Sequence, residues 1–387
     1  MSVQQHSLTV FIPLEEGQTE PVRSTLTAIG RNLHGHPTLS FHKSPNTHFA
    51  RFVVIPGQDT GRPDRLLFSS NYDGNEPAYL AELCSACGIG LDQIFQHCKG
   101  YPAHAAENPA RFAEYIRSFS MNPNFLFVSL PGLSVRTIQD DGEIGEVVED
   151  FLDKVDSEAF SRLRRAAGVL PDPHRSRILQ KKQNFVNSLL KVVERLAGIE
   201  TGGSNPNTTV PAPGSITTLE DRHIQNPLTI FGTVKDSILA RLILHALFWV
   251  GRFWFFLSPP WGALEGVTSI HFARWTICDG GDSLLFESNY DGSWDSYIDN
   301  FVDVTGPGLN RIWGNCKGFP RLGTADINSF KECVRAHQHP ALVFYSAYPD
   351  LTVKNIIANH TLDMAVQAFI RTPDIDRVFA GSYEIND

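Results

Sequence analysis

The chemistry-bearing residues of this chain come in two matched sets. His48 and Arg51 open one apolar run, and His271 and Arg274 open another. An imidazole moves protons or ligates a metal, and a guanidinium holds or polarises an anionic oxygen. Each pair is followed by Ser-Asn-Tyr-Asp-Gly, at Ser70–Gly74 and again at Ser288–Gly292. A carboxylate (Asp73, Asp291) and an amide (Asn71, Asn289) therefore accompany each pair. Together these groups have the types needed for proton transfer to a bound oxygen.

The same residues also have structural work open to them. Gly74 and Gly292 suit a turn with positive φ, and an Asp before a helix accepts backbone N–H bonds. The motif occurs twice where a catalytic site needs one copy, which favours the turn. His and Arg three apart on a strand face opposite sides unless a bulge intervenes. Arg51 and Arg274 have a structural alternative as ion-pair partners of Asp73 and Asp291. Cys98-Lys99-Gly100 and Cys316-Lys317-Gly318 read as helix ends. Cys84 and Cys87, with His97 and Cys98 nearby, match no common zinc spacing, so no metal site is expected. His337 and His339 share a face if extended, and His360 falls in a helix after the last strand.

A long internal repeat positions these groups. Leu66-Leu67-Phe68 recurs as Leu284-Leu285-Phe286, and Pro131, Leu133, Val135 and Ile138 recur as Pro349, Leu351, Val353 and Ile356. The offset is 218 residues here (284 − 66 = 218) and 223 at the histidines (271 − 48 = 223), so the first copy has a longer loop after Arg51. Each copy reads β-α-β-β-α-β, the split motif of ferredoxin-like units. The strands barely alternate: Phe125-Leu126-Phe127-Val128 is continuously apolar. Such strands are covered on both faces. Helices cover one face, so the other copy's sheet must cover the second. The expected fold class is α+β: an internal duplication of two ferredoxin-like βαββαβ units packed sheet to sheet as an intrachain α+β barrel, plus a helical connection. The first repeat is expected over 1–139 and the second over 228–387. Between them, 140–227 reads as helices followed by a flexible linker at Thr201–Gly214.

Bulk properties narrow the class further. The chain has 387 residues, 42% of them hydrophobic and 19% charged, which suits ordinary folded domains. A net charge of −9 disfavours a general nucleic-acid binder. Six cysteines form no disulfide framework at this length, and the N-terminus has no secretory pattern. A cytoplasmic setting is expected. The Gly-x-Ser-x-Gly elbow, the phosphate loop and the dinucleotide fingerprint are all missing from the sequence.

One segment breaks the symmetry. Residues 238–257 form an apolar helix of membrane-spanning length, followed by Ser258-Pro259-Pro260-Trp261. Arg241, His245 and Arg252 fall within roughly a 40° arc of it. Arginines are costly at bilayer depth, so a helix in the membrane plane or one buried by protein is expected over a true span.

In its order of elements the chain resembles the dimeric α+β barrel group, which includes dye-decolourising peroxidases and chlorite dismutases. Those enzymes bind haem beside one sheet, and the peroxidases carry Gly-x-x-Asp-Gly with a haem-facing Asp. The nearest matches here have Ser70 and Ser288 in place of the first Gly. The resemblance implies a haem-dependent, peroxidase-like oxidoreductase, and the apolar helix at 238–257 adds the expectation of an apolar or lipid-like substrate. Arg51, Asp73, Arg274, Asn289 and Asp291 would be its catalytic groups, and His271, His337 and His360 its candidate haem ligands. A non-catalytic lipid- or membrane-binding module, touching the membrane peripherally through Ile238–Trp261, is the first alternative. A cofactor-free monooxygenase-like or ligand-binding barrel is the second. A small apolar ligand and a homo-oligomer are the expected partners.

Overall fold

A computed structural model describes residues 3–57, 61–154, 224–257 and 261–370. The expected helices beyond Lys154 and the linker lie outside the described residues. The first repeat supplies β1 (Gln5–Pro13), α1 (Thr19–Gly30), β2 (Thr47–Ile55), β3 (Arg65–Asp73), α2 (Glu76–Phe95), α3 (Pro109–Ser118), β4 (Phe125–Val128) and α4 (Val135–Lys154). The second supplies β5 (Gln225–Thr233), α5 (Ile238–Leu257), β6 (Ile270–Cys278), β7 (Ser283–Asp291), α6 (Trp294–Trp313), α7 (Ile327–His337), β8 (Ala341–Ser346) and α8 (Val353–Ile370). The repeat is thus reproduced element by element.

The strands form two four-stranded antiparallel sheets, ordered β1-β3-β2-β8 and β4-β6-β7-β5. Each repeat therefore lends its last strand to the other repeat's sheet. In a self-contained ferredoxin-like unit that strand would stay with its own. Here the chain entering β4 touches its own sheet only briefly, where Met121 N–H donates to Thr9 O at 2.8 Å. It then crosses, and Asn124 N–H donates to Trp275 O at 2.8 Å. The chain entering β8 does the same through His339 N–H to Thr229 O at 2.9 Å. Pro123 and Pro340 lie in these crossings and cannot donate ladder bonds, so pairing with the home sheet stops there. The exchange stitches the two sheets along both edges into one α+β barrel.

Helices coat the outer faces. Val22, Leu26, Leu80, Leu83, Ile94, Phe95 and Phe112 pack on sheet one, and Leu244, Phe248, Phe301, Leu309 and Phe330 on sheet two. Between the sheets, Phe11, Val53, Leu67, Phe231 and Leu285 fill one end, and Phe49, Leu130, Phe272 and Tyr348 the other. Every residue of β2 and β3 is buried. That explains the missing alternation, since both faces of these strands are dry.

Helix α5 departs from its counterpart α1. Ser237 starts it, its carbonyl accepting from Arg241 N–H at 3.3 Å. One side carries Leu244, Leu247, Phe248 and Val250 into the core. Arg241 bonds Asp282 at 2.6 Å, while His245 and Arg252 are exposed. A helix with its whole apolar surface covered and only the polar stripe outside is not what forms. Ile238, Leu239, Leu242, Trp249 and Phe253 are also exposed.

Candidate functional site

Register decides which of the candidate residues meet. Arg51 lies opposite Ser69, and Arg274 opposite Glu287. Asp73 is four residues beyond Ser69, roughly 13 Å along the strand. Arg51–Asp73 and Arg274–Asp291 ion pairs therefore do not form. Instead both arginines enter a sealed polar cluster between the sheets. Arg51 donates to Leu228 O at 2.8 Å, Thr229 Oγ1 at 3.1 Å, Ser288 O at 2.8 Å and Asn289 Oδ1. Arg274 donates to Glu287 Oε2 at 2.7 Å and to Ser70 O at 3.0 Å. Ser69 donates to Glu287 Oε1, and Asn289 Nδ2 donates to Asn71 Oδ1 at 3.0 Å.

Burial lowers the Arg51 pKa to about 10, against the partly compensating charge of Glu287. Burial alone would raise the Glu287 carboxyl, but the charges of Arg274 and Arg51 and its hydrogen bonds outweigh it and hold it below the usual range. These side chains hold one another through hydrogen bonds, while Asn71 Nδ2 is buried without a partner.

The histidines find the aspartates. A register shift between Thr47 and Phe49, and another between Ile270 and Phe272, mark bulges at His48 and His271. His48 Nε2 meets Asp73 Oδ1 at 2.9 Å, and His271 Nε2 meets Asp291 Oδ1 at 2.7 Å. The second carboxylate oxygens accept Val135 N–H and Val353 N–H, each at 2.8 Å. Each Asp thus ties a histidine to the first turn of a helix, α4 or α8, where a negative charge is favoured. His48 Nδ1 also meets the hydroxyl of Tyr348 at 2.8 Å. Burial, then the charges of Asp73 and Asp291, push the Tyr348 phenol well above its ordinary pKa.

The candidate haem ligands are not brought together. His271 adjoins a cavity of about 10 Å³. His337 ends α7, bonds Cys333 O at 2.8 Å and borders a cavity of about 30 Å³ outside sheet two. His360, on α8, bonds Asp141 of α4 at 2.8 Å. A macrocycle does not fit beside His271 or His337. Among the described residues, no three His, Cys, Asp or Glu side chains gather to hold a metal. Cys84 and Cys87 are core thiols that burial pushes up to about 12.

A roomier site lies outside the barrel, between α5, α6 and sheet two. Its cavity measures about 130 Å³. Phe248, Phe255, Leu264, Trp275, Phe301 and Leu309 make it apolar, and Glu265, Thr305 and Arg311 are its polar rim. Glu265 is exposed at this rim, with a left-handed backbone (φ 50°). Burial raises its carboxyl pKa, with Arg311 opposing. A non-glycine residue at positive φ costs energy, and such strain gathers at functional positions. Glu265 and Arg311 belong to no repeated motif, so nothing in the sequence singles them out.

The fold is therefore a ferredoxin-like α+β barrel contained in one chain. No protein-family model matches it, and no curated protein does. Among solved structures it is similar to one described as a "putative monooxygenase" from Lactobacillus acidophilus NCFM. The TM-score is 0.26 at 7% identity, covering 81% of this chain and 90% of that one. A likeness this distant says nothing about activity. The expected kinship with dye-decolourising peroxidases and chlorite dismutases rests on order of elements alone.

Proposed function

We propose that this chain is a ligand-binding barrel of the cofactor-free, monooxygenase-like kind, and that it takes an apolar small molecule between α5 and α6. The observation that carries this reading is the apolar cavity of about 130 Å³ with Glu265 strained into place at its rim. A dry apolar cavity of about 150 Å³ holds benzene. A single-ring molecule is thus the natural core of the ligand, with its polar group toward Glu265. The raised carboxyl supports a second role for Glu265, as the base that takes a proton from an acidic substrate hydroxyl. Haem enters no step of this reading; the cavities beside His271 and His337 measure about 10 and 30 Å³.

The test is a calorimetric titration of the purified chain with phenol, a single ring carrying one acidic hydroxyl. Gly308 lines the cavity, and a Cβ there would reach Glu265 Oε2 at 3.5 Å, an ordinary contact. Gly308→Leu should fill the space, cut affinity at least about tenfold and keep the fold, since Leu is a better helix former than Gly. Unchanged binding in G308L would overturn the reading. So would a Soret band, after haem addition, that disappears when His271, His337 or His360 is replaced.

A further inference from the structure

We propose that the outward face of α5 seats the protein on an anionic lipid bilayer. Ile238, Leu239, Leu242, Trp249 and Phe253 are 76%, 54%, 59%, 65% and 47% exposed. At about 100° per residue, Ile238, Leu242, Trp249 and Phe253 share an arc of roughly 60°. The Trp249 and Phe253 rings stack at 5.9 Å, so these two aromatics present one surface. Apolar side chains grouped this way on a monomer's surface mark an interaction site.

Charge selects the occupant. α5 contains Arg241, His245 and Arg252 and no Asp or Glu, in a chain of net charge −9. His245 and Arg252 are exposed and run along one border of the ridge. Arg241 is already paired with Asp282, and a second copy packed α5 against α5 would leave Arg252 with no carboxylate on the helix to answer it. An anionic headgroup layer answers it directly, while the ridge enters the acyl boundary with Trp249 at headgroup depth. The helix lies in the membrane plane rather than across it, because Leu244, Leu247 and Phe248 hold its other side to the barrel. The equivalent helix α1 of the first repeat has Glu20, Ser24 and Ala28 exposed and lacks such a ridge. This surface faces away from the α5–α6 cavity, so membrane seating and ligand binding can each fail alone.

The experiment is co-sedimentation of the full chain with phosphatidylcholine vesicles, with and without phosphatidylglycerol. Only the anionic vesicles should pellet it, tryptophan emission should shift to the blue, and added salt should release it. Arg252→Glu should weaken binding by about fivefold or more. A Leu242→Glu, Trp249→Glu double variant should abolish it at an unchanged thermal midpoint, because both positions are exposed. Sedimentation of that variant equal to wild type would overturn the proposal. So would equal binding to neutral vesicles. A solution dimer lost in W249E, without vesicle binding, would assign the face to a second copy instead.

Discussion

Ser69 and Glu287 hold the same place in the two repeats, 218 residues apart, and the Ser69 hydroxyl donates to the Glu287 carboxylate. Asn71 and Asn289, also equivalent, meet in the same way at 3.0 Å. Equivalent residues touch only beside the axis that relates them, so the pseudo-twofold runs through this cluster. The chemistry there is unequal. Two guanidiniums, Arg51 and Arg274, share the single carboxylate of Glu287, because the first repeat has a hydroxyl where the second has an acid.

Glu287→Gln should therefore be among the most damaging single changes in the barrel. It leaves two buried guanidiniums without an anion, and breaking a buried pair costs about 3–5 kcal/mol. Urea unfolding at neutral pH measures this. The pH dependence has a definite sign. The folded carboxyl titrates below its usual value of 4.5. Its contribution is complete above that value and is lost as pH falls through the folded pKa. Wild type should lose stability over that acidic interval, and E287Q should lack this part of the loss. An E287Q protein as stable as wild type at pH 7 would contradict the assignment.

The buried His–Asp pairs act as fasteners, and this too is measurable. Asp73→Asn keeps the shape but removes the charge that meets His48 and the first turn of α4. Tyr348→Phe leaves His48 Nδ1 without its hydroxyl partner. Each should cost about 1–3 kcal/mol of stability, the range for a buried polar group that loses its partner. Neither should change the affinity for a ligand under α5. A loss of binding or turnover at unchanged thermal midpoint would instead make the His48–Asp73–Tyr348 chain part of a working site.

The internal repeat makes much of the fold legible in the amino-acid sequence. Paired motifs fix the element order, and continuous apolar strands such as Phe125–Val128 require a second sheet over the first. The exchange of β4 and β8 is not legible in the same way. A strand presents the same apolar pattern to its own sheet as to its partner's, and only Pro123 and Pro340 hint at the crossing. Arg51, Arg274, Asp73 and Asp291 recur together with their surroundings, each Arg in the cluster between the sheets and each Asp on a histidine. The informative positions are those where the copies differ: Glu287 against Ser69, Tyr348 against Leu130, and the apolar face of α5. A lone charge in an apolar strand of one copy is the available signal for Glu287. Glu265 has none, since its strain exists only in the folded loop.

Glu265 yields the prediction that separates stability from function at the cavity. Its φ of 50° is a conformation that Gly adopts freely and other residues adopt at a cost of about 1–2 kcal/mol. Glu265→Gly should therefore raise the thermal midpoint, partly offset by the looser unfolded chain, while ligand affinity falls. Glu265→Gln keeps a side chain of the same size on the same strained backbone and removes only the ionisable group. If the carboxyl binds or deprotonates the ligand, E265Q should be at least as stable as wild type at neutral pH, since it no longer carries the charge that the folded loop disfavours, and should fall with E265G in affinity. It should also lose any pH dependence of binding above the usual carboxylate range, where the raised group titrates. If E265Q bound as wild type does at every pH, the strained residue would be shaping the rim and the carboxyl would have no part in recognition.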